Sequence, residues 1–169
     1  MSVSVEFIIA AILLGCGATL VMDLWAMFLL RRFKIPSLNY AMVGRWVGHF
    51  FQGQFVHVNI GQAFAITGEK ILGWIVHYLI GIFFSAILLG IWGIEWLQAP
   101  SLLPAILMGL ITVLAPFLIL QPGMGAGIAA SKTPEPNVAR LRSLGAHLSF
   151  GIGLYLSGIA LMFVNRILG

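Results

Sequence analysis

Three ionisable side chains stand inside long apolar runs of this chain: Asp23, His77 and His147. Titratable groups at membrane depth are costly, and by default they belong to a working site. A carboxylate beside imidazoles favours the charged form of each, while burial opposes both. Such a pair can take up and release a proton near neutral pH. The same side chains are also a donor set. Two histidines on antiparallel helices can ligate a b-type haem axially, and two histidines with Asp23 can hold iron. Nothing in the sequence requires either cofactor. Gln121 and Met124 close the third apolar run on the same side and are expected to line the same space.

Each of the three sits on a stripe of small residues at helical spacing. Ala11, Gly15 and Thr19 lead to Asp23; Gly73, Gly81 and Ser85 flank His77; Ser143 and Gly151 flank His147. Small stripes face neighbouring helices rather than lipid. The three side chains are therefore expected to converge in one cavity open to the cytoplasm.

The elements that must carry them follow from composition. Of 169 residues, 60% are hydrophobic and only 8% charged, against about 25% charged in a soluble domain. A soluble enzyme, a disordered tail and a β-barrel are all excluded, the last because strand alternation is absent. The chain reads as one integral membrane domain, all-α, over residues 1–169. Four spans of roughly 20 residues each are expected, at about 5–30, 71–94, 102–121 and 144–164. No basic leader precedes the first run, so it reads as a retained span. Arg31, Arg32, Lys34, Arg45, Lys70, Lys132, Arg140 and Arg142 fall on one side and only Arg166 on the other. That asymmetry predicts both termini outside the cytoplasm. It also accounts for the net charge of +4 without a nucleic-acid partner. Cys16 is the only cysteine, so intrachain disulfides and Cys₄ metal sites are excluded.

The loop after the first span carries a pattern of its own. Ser37 is a plausible N-cap, and Leu38, Met42, Trp46 and Phe50 recur at i, i+4 spacing. An amphipathic cytoplasmic helix over about 37–51 is expected to lie in the membrane interface. Ala41, Gly44 and Gly48 form a small-residue strip beside its apolar face. His49 and His57 read as ordinary interfacial polar residues, with FVHVNI as a short extended or re-entrant piece. In the third span Pro116 removes the backbone bond to Thr112 and should kink the helix. The string GAGIAASKT lacks the glycine before lysine and the preceding strand of a phosphate-binding loop. Lys132, Arg140, Arg142 and Arg45 are candidates for holding an anion or a lipid headgroup.

Two signals recur in order: AILLG at Ala11–Gly15 and AILMG at Ala105–Gly109, then His-x-x-x-Gly-Ile at His77–Ile82 and at His147–Ile152. A parallel two-plus-two repeat, a device known in transporters, fits this order, with the interfacial helix inserted in the first half.

The stretches MDLWA at Met22–Ala26, PSLNYAMVGRWVGH at Pro36–His49, FVH at Phe55–His57, LGWIVHYLIGI at Leu72–Ile82, APFLILQPGMGAGIAASKTP at Ala115–Pro134 and RLRSLGAHLSFGIGLYL at Arg140–Leu156 together resemble a bacterial family of small inner-membrane proteins catalogued as a domain of unknown function. The resemblance implies four spans and a bacterial inner membrane, and it carries over no activity. Three function classes remain open at this point. One is a proton- or ion-coupled carrier of a small solute, expected to work as a homodimer. The second is a haem- or metal-binding redox protein. The third is a non-catalytic accessory subunit whose small-residue stripes bind a membrane partner.

Overall fold

A computed structural model describes residues 3–168. Among the described residues there is no strand, and four helical stretches are long and apolar enough to cross a membrane. The first crossing helix is α1, Val3–Phe33. A short helix α2, Tyr40–Gly48, follows, then the second crossing helix α3, Glu69–Trp92. The third crossing stretch, Leu102–Gly123, begins with α4, Leu102–Thr112. The fourth is α5, Pro136–Leu168. All-α membrane architecture is thus what the apolar runs build. The helices of 31 and 33 residues outlast a hydrocarbon core, which about 20 residues cross.

The interfacial helix starts later than Ser37. Asn39 caps it, its side-chain oxygen accepting from the Ala41 amide at 3.0 Å. Asparagine is as good a cap as serine, and here it stands immediately before the first helical residue. A tight turn over His49–Gln52 ends at Gly53, whose φ of 73° suits a residue with no Cβ.

The chain divides into two compact units. The first takes the stretches up to Pro36, Tyr78–Ile111 and from Ala146 onward. Its core is built from Leu14 and Ala18 of α1, Leu88 and Leu89 of α3, Met108 of α4 and Phe150 and Leu154 of α5. The recurrent strings meet at equivalent places in this unit. A Cβ on Gly15 would lie 2.5 Å from the Ile82 Cα and 2.8 Å from the Gly81 oxygen. A Cβ on Gly109 would lie 2.7 Å from the Gly151 Cα and 2.6 Å from the His147 oxygen. The AIL-x-G glycine of each half therefore abuts the glycine of the following His-x-x-x-Gly-Ile string, as a two-plus-two repeat requires. The small-residue stripes are spent on these contacts within the chain.

The second unit comprises Ser37–His77 and Thr112–Gly145. Here α2 lies against the start of α3 at glycines: a Cβ on Gly44 would strike the Glu69 carbonyl, and one on Gly73 the Tyr40 carbonyl. The strip on α2 thus seats it on its own chain. Beyond Thr112 the third crossing stretch widens over Pro116–Leu120, where the Gln121 amide reaches back five residues to the Pro116 oxygen. Proline lacks the amide that would continue the ordinary ladder, and a wide turn is the relief. The FVHVNI stretch forms no strand. It is docked by two backbone bonds, His57 N–H to the Gly123 oxygen at 2.8 Å and Ile60 N–H to the Met124 oxygen at 3.1 Å.

Candidate functional site

In the first unit Asp23 lies on α1 and Tyr78 on α3. The Tyr78 hydroxyl donates to the Asp23 carboxylate at 3.1 Å, and both side chains are half-buried. A phenol is a donor that a carboxylate can keep in either protonation state. Aligning the repeats by Gly15 and Gly109 sets Phe117 opposite Asp23; aligning by His77 and His147 sets Leu148 opposite Tyr78. The polar pair is confined to one half, whereas the packing glycines are common to both. His147 also belongs to this unit, and its ring is half-buried on α5.

His77 belongs to the second unit. Its Nε2 lies 3.0 Å from the Tyr40 hydroxyl, and its ring clusters with Tyr40, at 4.3 Å, and Trp74, at 5.8 Å, which also touch each other at 4.4 Å. The seating of α2 on Gly73 is what brings Tyr40 within reach. Gln121 donates from Nε2 to the Ser143 hydroxyl at 3.2 Å, while its Oε1 is buried without a partner. Met124 contributes its backbone, accepting from Ile60 and donating to the Leu120 oxygen. Tyr40 and Tyr78, which the sequence reading passed over, are the hydroxyls that hold the two titratable groups of the first half. Their signal was spacing: Tyr78 follows His77 directly, and Tyr40 stands four residues before Gly44.

Arg45, a candidate for an anion or headgroup, is committed elsewhere. Its Nε and Nη2 donate to the two Glu69 oxygens at 2.8 Å each, and Nη1 reaches the carbonyls of Ile60, Gly61 and Ala63. The hydrogen bond it donates to Glu69 holds the guanidinium above its ordinary range against the opposing effect of burial. This is a fork-to-fork pair that clamps the 60–69 loop onto α2. Arg140 is likewise occupied, with Nε on the Ala129 oxygen at 2.8 Å and Nη1 on Asn137 at 3.0 Å. It steadies the left-handed backbone at Ala129 and Ala130, with φ 48° and 59°. Lys132 and Arg142 remain exposed. Among the described residues, no three His, Cys, Asp or Glu side chains are grouped as a metal ion would need.

The histidines read as ordinary interfacial residues are buried and paired. His49 and His57 are 3% and 6% exposed, and His49 Nδ1 lies 2.7 Å from His57 Nε2. The other nitrogen of His57, Nδ1, is buried without a partner. Both stand four residues from Gly53, so the reversal there brings them face to face. That symmetry about a glycine was the legible signal. Beside His57 the chain turns through Gly125 and Gly127, at φ 94° and 75°; a Cβ on Gly125 would strike the Val58 carbonyl.

A search of curated proteins and a search of solved structures each returned no match. Residues 12–161, which span every contact described above from Gly15 to Gly151, match the family described as protein of unknown function (DUF2938), and the chain belongs to that family.

Proposed function

We propose that this membrane protein is a proton-coupled carrier of a small solute, with Asp23, His77 and His147 as the proton-handling residues and Gln121 and Met124 as further ligand positions. The observation that carries the reading is the Asp23–Tyr78 pair: a carboxylate in a crossing helix, held by a hydroxyl that can serve it charged or neutral, and present in one repeat only. A residue needed for packing would recur with the packing glycines; one added to a single copy is there for chemistry. In the cycle, Asp23 takes a proton from one aqueous side and gives it up to the other, its charge setting which way the bundle opens. Four spans leave little room for a pathway within one chain, so the working form is a homodimer in the bacterial inner membrane.

The test is infrared difference spectroscopy on reconstituted protein between pH 5 and 8. A protonated-carboxyl stretch that grows toward pH 5 and is missing from Asp23→Asn is expected. A band that is absent, or that survives in Asp23→Asn, overturns proton coupling at this residue.

A further inference from the structure

Outside that polar set, the second unit carries two shallow grooves that share Val56 and Pro122 and so lie side by side. The first is apolar, walled by Trp46, Phe50, Phe55, Leu118 and Ile119; Leu118 and Ile119 belong to a crossing stretch. The second lies on the glycine turn after that stretch and is lined by His57, Gly125, Gly127, Ser131 and Lys132. Its chemistry is that of an anion site. Lys132 is an exposed ammonium, Ser131 an exposed hydroxyl, and the turn glycines let a ligand approach the backbone closely.

His57 points to a ligand independently. At 2.7 Å the His49–His57 contact uses one donor and one acceptor. If His49 donates, a neutral His57 carries its own proton on Nδ1, and that N–H is buried with no acceptor. If His57 donates from Nε2, a neutral ring leaves a bare lone pair at Nδ1. Either way a buried polar atom, on a residue that lines the groove, is unsatisfied, a state that proteins avoid. An anionic oxygen in the groove resolves it by accepting from His57 Nδ1–H while Nε2 keeps its contact with His49.

We infer that the adjacent grooves bind one molecule of anionic phospholipid, its phosphate held by Lys132, Ser131 and His57 and one acyl chain laid along Trp46, Phe50 and Ile119. A charged end at a membrane boundary and an apolar end reaching a crossing stretch match the two parts of a lipid in order and in polarity. Val56, common to both grooves, and Ile128 of the second are exposed at 69% and 62% and suit contact with lipid.

Trp46 makes the site readable. The full chain would be placed in phosphatidylcholine nanodiscs containing a minor fraction of phosphatidylglycerol, one lipid or the other bearing dibrominated chains. Quenching is taken as the difference between the chain and Trp46→Phe. Brominated phosphatidylglycerol is expected to be preferred over brominated phosphatidylcholine about fivefold, the size of one ammonium–phosphate pairing at a membrane surface. Lys132→Ala, a change at an exposed side chain, should abolish the preference, and His57→Phe should reduce it. Arg32→Ala, at the end of α1, should leave it intact. Equal quenching by the two lipids overturns the assignment, as does an equal loss in Lys132→Ala and Arg32→Ala, which would mark general surface attraction. Removal of the preference by millimolar inorganic phosphate also overturns it, since a free anion would then be the occupant.

Discussion

Arg45 and Glu69 illustrate how much a single pair can organise. Five donor contacts run from one guanidinium to a carboxylate and three carbonyls, at side chains only 11% and 17% exposed. Charge-assisted bonds at such sites are costly to leave half-made, so Glu69→Gln should destabilise the fold by about 2 kcal/mol. Arg45→Lys should not rescue it, because an ammonium cannot present the planar fork. Equilibrium unfolding in mixed micelles measures both. Gly125 offers a second check. Its φ of 94° and the Val58 carbonyl beside it leave no room for alanine, and left-handed backbone alone costs an L-residue about 1–2 kcal/mol. Gly125→Ala should therefore lower Tm and free the 55–60 stretch, read by hydrogen exchange at the His57 and Ile60 amides. At this scale the sequence was only partly legible. Asp23, His77 and His147 stood out because apolar neighbours isolate them. Arg45 and His57 did not, because their surroundings are assembled by turns at Gly53 and Gly125 that no periodicity announces.

At the scale of elements, helix α2 was foreseeable from its four-residue spacing, and its seat was not. Its apolar residues suggested a helix floating in the interface, yet its glycines press on α3 closely enough that a Cβ on Gly73 would strike the Tyr40 carbonyl. Backbone against backbone cannot yield as a flexible side chain can. Gly73→Ala should therefore lift α2 and separate Tyr40 from His77. The expected signs are a red shift of the Trp46 emission and faster amide exchange over residues 41–48, with membrane insertion unchanged. Pro116 marks the interruption of the third crossing stretch in the sequence, while its form, a widened turn over Pro116–Leu120, depends on how the carbonyls near Pro116 find new partners.

For the whole molecule, four crossing helices were written plainly in the hydropathy, since few charges interrupt the apolar runs. Which way they cross is a matter of charge. With eight Lys and Arg in the stretches 31–70 and 122–143 and only Arg166 near the end of the last crossing helix, a reporter active only in the cytoplasm and fused after Gly169 should be silent. A strong signal there would invert the topology and move the polar residues to the opposite face. The repeat was visible as two short strings, and its meaning lies in the contacts of Gly15 with Gly81 and of Gly109 with Gly151.

Superposing the halves by those glycines sets Pro116 against Met22, the residue before Asp23. At one place in the repeat, then, one copy has an unbroken helix and a carboxylate, and the other a joint. An α-helix with every bond made moves as a rod; one whose ladder is loosened over Pro116–Leu120 can bend there with few bonds lost. Any rocking of this protein would thus be unequal, with α1 acting as the lever that carries charge and the third crossing stretch as the compliant member that absorbs the angle.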